Sequence, residues 1–546
     1  MLKLRHLVGL TDCGGIPINA EQDYKALIVI KNKIIRYLYM SATMTVLKTT
    51  KGLCPKCGAV LPAEIIEEDN QIWIVRTCPE HGVQKSLYWS DAEMYKQFDT
   101  YDSVGKGVAN PQVHVSEDRC PHACGLCNNH QSGTLLANID LTNRCNLNCE
   151  FCFANARACG YIYEPSYDEI IEILKMLRSQ KPCAVPAVQF SGGEPTMRDD
   201  LVKIVQAAHD LGFKQIQLAT NGIKLSRDKQ LVADLKNARL STIYLHFDGV
   251  TKDTNPLINI SRRVIENCRE VKQGVVLVPT IINGKNDHQI GDIIRFARDN
   301  VDVVRGINFQ PVAFTGAASE DDVAKERVTI PDLTKRIEEQ TGGVLLQKYF
   351  YPVPCVLPIS HLVEAYTGKP QIEFTSHQHC GAATYVFIND DGTMTPVNKM
   401  IDVDKFFEVV THMANKLDDT NSDKKILNKY VALVEGLKGF RKSLKGASDD
   451  TYSSKFWKML YQALVKQDFA ALKEFHWNAL FIGTMHFMDN YNYDVNRVKR
   501  CCIHYATPDL KLIPFCTYNS GHVFREEVWK KHAKPMEKQD DLAELD

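Results

Sequence analysis

The chain has 546 residues, 44% of them hydrophobic and 24% charged, enough for two or three domains with cores of their own. With a formal net charge of −1, nothing argues for nucleic acid or a strongly anionic partner. Eighteen cysteines in knuckle spacings, with no cleavable signal sequence ahead of them, point to metal ligation in a reducing, cytoplasmic setting rather than to disulfides.

Residues 1–50 stand apart as an N-terminal extension. Tyr24–Tyr39 mixes Lys25, Lys31, Lys33 and Arg36 with Leu27, Ile28, Val29, Ile30, Ile34 and Ile35, short of the roughly 20 apolar residues a membrane span needs. It reads either as a basic amphipathic helix lying on the inner face of a membrane, or as an extension upstream of a start at Met40 or Met44. No later segment is long and apolar enough to cross a bilayer.

Residues 51–135 read as a cysteine-rich metal-binding module. Cys54-Pro55-Lys56-Cys57-Gly58 is a metal knuckle, Gln71–Thr77 is strand-like, and Cys78-Pro79-Glu80-His81-Gly82 follows. Then comes Cys120-x3-Cys124-x2-Cys127, with His122 and His130 nearby. These six cysteines and His81 suffice for a mononuclear site of rubredoxin or zinc-ribbon type, holding iron or zinc, and for part of an iron-sulfur cluster.

Residues 136–315 alternate strands and helices. Asn138–Leu141 reads as a strand entering the run TNRCNLNCEFCFAN, where Cys145, Cys149 and Cys152 give C-x3-C-x2-C. Three thiolates on one tight loop can hold three irons of a 4Fe-4S cluster, and the missing fourth ligand leaves one iron open to an exchangeable partner. A four-cysteine zinc knuckle or an electron-carrying cluster is the bland alternative. Tyr167–Arg178 has helical apolar spacing, and the strand Ala187–Phe190 runs into Ser191-Gly192-Gly193-Glu194-Pro195. Paired glycines there permit close backbone approach, and the carboxylate can accept from an ammonium group. Further strands are Gln215–Ala219 before Thr220-Asn221-Gly222, Ile243–Phe247 before Asp248-Gly249, Gly274–Pro279 and Ile307–Pro311. Such repeats predict a parallel, six-stranded partial barrel with its site at the carboxyl ends of the strands.

Residues 316–546 read as a C-terminal α+β domain. Cys355, Cys380, the pair Cys501-Cys502, and Cys516 are dispersed in it; four thiolates converging in space would hold an auxiliary 4Fe-4S cluster beside the barrel mouth. Cys159 is ambiguous, as is the choice within the 501/502 pair, while Cys13, Cys183 and Cys268 read as small buried hydrophobes. The runs Phe406–Val410 and Ala479–Met488 are apolar and read as helical, with ordinary helix packing as the alternative to ligand lining.

The order CPKCG, CPEHG, CPHACGLCNNH, IDLTNRCNLNCEFCFA, FSGGEPTMRDD, LATNG, LHFDG, HCG and IPFC, over residues 50–525, resembles the class D-like group of the radical S-adenosylmethionine (SAM) superfamily, and within it the archaeal tetraether lipid synthases. The resemblance implies an α/β fold, a partial (β/α)6 barrel flanked by the two metal-binding regions. It also implies SAM on the open iron, one radical and two auxiliary 4Fe-4S clusters, a mononuclear iron or zinc, and a ferredoxin- or flavodoxin-like electron donor. Gly192, Gly193 and Glu194 would hold the methionine end of SAM, and Asn221 and Asp248 its ribose or adenine, against a turn or cap role; Asn283 and Gln310 are further candidates. The implied activity is coupling of terminal sp3 carbons of archaeal diether lipids into macrocyclic archaeol or tetraethers, by 5′-deoxyadenosyl radical hydrogen abstraction and an alkyl intermediate trapped on an auxiliary cluster. The residues 316–546 would then bind lipid as well as metal. A radical methylase acting on a pterin or another heteroaromatic is the alternative the same group offers.

Overall fold

The computed structural model describes residues 44–116, 120–147, 149, 152, 160–314, 320–418, 425–445, 479–520 and 523–534. Tyr24–Tyr39, the alternative start at Met40, Cys13 and Cys159 lie outside them. The first element is a four-stranded antiparallel sheet in simple order, β1 (Thr45–Leu53), β2 (Val60–Glu68), β3 (Gln71–Cys78) and β4 (Gly82–Trp89). β3 alternates strictly, with Ile72, Ile74, Arg76 and Cys78 buried and their neighbours half-buried, the period of a pleated strand. Asp69 and Asn70 join β2 to β3 with φ of 51° and 58°, the paired positive φ that a two-residue hairpin favours. Helix α1 (Ala92–Asp99) follows, capped by Asp91, whose carboxylate accepts from Met94 N.

The central sheet begins with β5 (Leu136–Thr142), β6 (Ala187–Gly192), β7 (Gln215–Thr220), β8 (Thr242–His246), β9 (Gly274–Val278) and β10 (Val304–Pro311), parallel neighbours in chain order. Helices α2 (Tyr167–Arg178), α3 (Leu201–Asp210), α4 (Lys229–Asn237), α5 (Ile258–Glu270) and α6 (Ile290–Asp299) lie between them in sequence. α2 starts where expected because Ser166 and Glu169 form a capping box, and it buries Ile170, Ile173, Leu174 and Leu177. One face of the sheet, including Ile139, Leu141, Val188, Phe190, Ile216, Leu218, Ile243 and Leu245, joins those helices in the main core. The intervening residues are of another character: Asn138, Asp140, Gln189, Ser191, Gln217, Tyr244 and His246 point to the opposite, inner face.

Four strands of the last third extend this sheet rather than forming a body beside it. β11 (Gly381–Ile388) pairs antiparallel with β12 (Ala479–Met485), and β12 lies parallel to β10. At the opposite edge β13 (Ile503–Ala506) lies parallel to β5, and β14 (Leu512–Pro514) pairs antiparallel with β13. Residues 486–502 therefore run as a strap from one edge of the sheet to the other. Phe487, just after β12, stacks on Phe515, just after β14, at 3.9 Å between ring centroids, so the two ends of the parallel run approach each other there. The N-terminal sheet docks on this strap: Tyr88 donates to Asp494 (2.9 Å), and buried Arg76, held within the sheet by Leu53 O (2.5 Å), donates to Asn490 O (3.4 Å).

Of the two apolar runs read as helical, one is corrected. Ala479–Met485 is a strand, because a short apolar run carries no period that separates strand from helix and Gly483 with β-branched neighbours favours the former. Phe406–Val410 does lie in a helix, α7 (Val403–Asp418), where Val410 and Phe406 pack against Phe440 of α8 (Lys425–Ser443). Leu480 and Ile482 belong to the main core, and Phe487 and Met488 to the aromatic cluster near the strap. Those side chains fill cores.

Candidate active site and metal centres

The N-terminal sheet carries a compact ligand set. Cys54, Cys57, Cys78 and His81 come from the β1–β2 and β3–β4 turns, and their ligand atoms all lie within 4.8 Å of one another. Cys57 Sγ is 3.8 Å from Cys78 Sγ, and His81 Nδ1 is 3.7 Å from Cys54 Sγ and 3.5 Å from Cys78 Sγ. A Zn–S bond of about 2.3 Å gives tetrahedral edges of about 3.8 Å, so these four atoms fit one ion. Burial alone would raise the Cys54 thiol, but the N–H groups of Cys57 and Lys56 bring it below its ordinary value, toward the thiolate a metal needs. The fourth donor is an imidazole, which makes this the three-sulfur, one-nitrogen set of a zinc ribbon rather than the four-sulfur rubredoxin set.

At the carboxyl end of β5 the chain enters the loop of Cys145, Cys149 and Cys152. Burial pushes the Cys145 thiol up to about 11, against a Leu147 N–H, with Glu194, Cys152 and Cys149 adding to the rise. Burial likewise raises Cys149, reinforced by Cys152 and Asp248. Three mutually interacting thiols on one loop fit a 4Fe-4S cluster held by three sulfurs.

The Gly192-Gly193-Glu194 run braces that loop. A Cβ on Gly192 would meet Thr142 O at 2.2 Å, and one on Gly193 would meet Arg144 O at 2.3 Å, so both positions require glycine for the close approach of β6 to the loop. Gly193 N donates to Thr142 O (2.7 Å) and Glu194 N to Arg144 O (2.8 Å). The Glu194 carboxylate, 2% exposed, accepts from Thr196 N (3.1 Å), Thr196 Oγ1 (2.6 Å), Thr220 Oγ1 (2.7 Å) and Asn221 N (2.8 Å). Burial still raises its pKa despite these donors. Asn221 in turn donates to Asn146 Oδ1 inside the cysteine loop (2.7 Å) and accepts from Ile223 N (3.0 Å). Glu194 and Asn221 thus hold the loop and the ends of β6 and β7 in register.

Asp248 faces the same loop from beyond β8. Its carboxylate accepts from Thr280 N (2.8 Å) and lies 3.2 Å from His246 Nε2, and burial raises it against the pull of those two partners. The His246–Asp248 pair was hidden in LHFDG by a period of two, which puts both side chains on the inner face. Asn283 is taken up by Lys325 O and Arg336, a packing role. Gln310 is half-buried at the end of β10.

The remaining cysteines divide unexpectedly. Cys124 is raised by burial and by Cys120, Cys127 and Cys501. Cys501 is pushed up to about 12, first by burial, with Cys380 and Cys502 among its charged neighbours, and Cys516 is raised by burial, Cys501 and Cys380. Arg497 Nε donates to Cys380 Sγ at 3.4 Å. Cys380, Cys501 and Cys516 are thus electrostatic neighbours, as are Cys501 and Cys124 of the Cys120–Cys127 loop. Cys355 stands apart: burial raises it to about 12 with Asp404 next, and Tyr351 as a further neighbour, so it does not complete that set. Cys268 is buried in the core, a small hydrophobe as expected.

Residues 139–297 match the model of the radical SAM superfamily, and residues 46–90 that of the HMPTM N-terminal zinc ribbon domain. The chain is 49% identical, over 90% of its length and 96% of the relative's, to the 7,8-dihydro-6-hydroxymethylpterin dimethyltransferase of Methanocaldococcus jannaschii. The chain belongs to that family of radical SAM enzymes. It is also 26% identical to the GTP 3′,8-cyclase of Clostridium acetobutylicum over 59% of this chain and 95% of that one. A solved radical SAM methyltransferase from Sphaerobacter thermophilus aligns over 57% of this chain and 79% of its own, at 12% identity and a TM-score of 0.26. The match to the pterin dimethyltransferase overturns the expectations of lipid coupling and of an archaeal diether lipid as partner. The inner face explains why the sequence misled: the apolar runs read as lipid lining are core, while the radical SAM barrel itself is lined by amides and hydroxyls. Among the described residues no helix is long and apolar enough to cross a membrane.

Proposed function

We propose that this radical SAM enzyme methylates a reduced pterin of the 7,8-dihydro-6-hydroxymethylpterin type. The observation that carries the reading is near-complete mutual coverage at 49% identity with an enzyme of that name. The inner face supports it in physical terms. Asn138, Gln189 and Gln217 are neighbours across β5, β6 and β7, with Gln189 donating to Asn138 Oδ1 at 3.0 Å. Ser191 donates to Asp140 one layer nearer the mouth, and half-buried Tyr244 sits on β8. Such a lining can exchange hydrogen bonds with the amino, oxo and ring-nitrogen edge of a pterin. A saturated hydrocarbon in the same place would leave buried amides unpaired, at about 1–3 kcal/mol each.

Cys145, Cys149 and Cys152 would hold the 4Fe-4S cluster, which with SAM supplies a 5′-deoxyadenosyl radical able to take hydrogen from a C–H bond. Around it, Glu194 and Asn221 fix the loop, and Asp248 holds the half-exposed His246 imidazole toward the mouth, where it can accept or give a proton. The zinc ribbon, docked through Tyr88 on the strap, has a structural role.

The test is to incubate the anaerobically reconstituted full chain with SAM, dithionite, a one-carbon donor and 7,8-dihydro-6-hydroxymethylpterin, and to weigh the products. The reading expects 5′-deoxyadenosine and a pterin heavier by one or two methylene units. Formation of 5′-deoxyadenosine with the pterin unchanged, across one-carbon donors, would refute the substrate.

A further inference from the structure

Near the radical loop lies a buried charge pair, Arg525 with the inner-face residue Asp140. Arg525, on α9 (Val523–Lys531), is 6% exposed. Its guanidinium sits over the rings of Tyr518 (4.9 Å), Tyr505 (5.1 Å) and Trp529 (5.3 Å). Its Nη2 donates to Asn519 Oδ1 at 2.6 Å and lies 3.8 Å from Asp140 Oδ2, while Nε has no hydrogen-bond partner. Asp140, 2% exposed on the inner face of β5, also accepts from Ser191 (3.1 Å) and Tyr518 (3.4 Å). Cys152 packs against the same aromatic cluster, which contains Tyr505, Tyr518 and Trp529. Burial works against the Arg525 charge; Asp140 first, then Tyr505 and Tyr518, and then Cys152 more than compensate.

An aromatic box that excludes water keeps the local dielectric low, so a fixed charge acts strongly on anything nearby that changes charge. A 4Fe-4S cluster held by Cys152 changes charge by one electron on reduction, and net charge near a cluster is one of the terms that set its potential. Structural anchoring of α9 would need an ion pair or ring contacts only; it does not require the pair to lie beside a cluster ligand.

We propose that Arg525 and Asp140 form an electrostatic tuning pair for the radical 4Fe-4S cluster, Arg525 favouring its one-electron reduction and Asp140 opposing it. The electron comes from an external low-potential donor, and no bond within the pair is made or broken. The inference rests on the cluster assignment and is independent of which substrate is methylated.

The test uses the reconstituted full chain in a reductive titration, followed by the electron paramagnetic resonance signal that shifts on adding SAM, which separates this cluster from any other. Arg525→Met leaves the Asp140 charge unopposed and should lower the reduced-to-oxidised ratio at fixed potential about tenfold, a shift of about 59 mV. Asp140→Asn should raise the ratio, and Arg525→Lys should stay within about threefold of wild type. A merely structural role cannot move the potential in opposite directions for the two partners. Shifts of the same sign, or none in a folded Asp140→Asn protein, overturn the proposal. Should Arg525→Met fail to fold, Asp140→Asn alone decides.

Discussion

Replacing Glu194 by Gln should loosen the cysteine loop by an amount the structure allows us to work out. The carboxylate receives three donors at Oε1 and the Asn221 N–H at Oε2, and two of the four donors are backbone N–H groups that cannot turn away. An amide has one acceptor oxygen. Whichever way it is flipped, its NH2 faces Asn221 N or Thr196 N, whereas the threonine hydroxyls can rotate to accept. One buried N–H therefore loses a charge-assisted partner, which costs about 2–3 kcal/mol. Because Glu194 spans the ends of β6 and β7, the cost should appear as local opening. Amide exchange in peptides covering 192–200 and 217–224 should quicken about 30- to 150-fold, at one decade per 1.4 kcal/mol. Hydrogen–deuterium exchange with mass readout measures this without assuming that the whole chain unfolds in one step. Peptides in β2 and β3 of the zinc ribbon serve as the control and should not change. Exchange within threefold of wild type in the 217–224 peptide would show that the Glu194 bonds do not hold the loop, and the bracing role argued here would be wrong.

Changing His81 to Ala should remove the one nitrogen ligand, releasing the ion from the N-terminal sheet; metal analysis should find one equivalent less, with no loss from the radical loop. Gly193→Ala drives a methyl into Arg144 O, so the purified variant should reconstitute less iron at Cys145–Cys152 while the ribbon keeps its ion. His130 is fully buried, and burial brings its pKa down to about 4, a Cys501 carbonyl contact opposing. Between about pH 6.5 and 4 the unfolded chain takes up a proton at this position that the native chain refuses. Stability therefore falls as pH drops through that window, by about 3 kcal/mol in total, at 1.36 kcal/mol per unit. Melting temperature followed against pH should flatten across the window in His130→Gln, and an unchanged slope would refute the assignment.

Much of the fold is legible in residue order because parallel strands sealed by helices leave short apolar runs with polar ends. Gln215–Ala219 and Gly274–Pro279 are read within a residue or so, and Tyr167–Arg178 is bounded by a capping box that any sequence displays. The cysteine loop is equally plain, since its ligands are adjacent in sequence. What stays hidden depends on long-range pairing. Nothing local in Ala479–Met485 says it pairs with β10, nor that Ile503–Ala506 lies at the far edge against β5. Cys355 looks like its fellow cysteines in sequence and differs only in where α+β packing carries it. Glu194 shows the converse: a carboxylate after two glycines suggests a ligand contact, while its four donors come from the protein itself. Substrate choice was misread for a related reason, since apolar runs advertise themselves in sequence and inward-facing amides, one on every other residue, do not.

The strap that carries the chain from β12 to β13 has a consequence for biogenesis. Both outermost parallel strands follow the other six in sequence, so those six wait during synthesis with two unsatisfied borders of backbone N–H and C=O groups. Such open borders invite pairing with other chains until the later strands cover them.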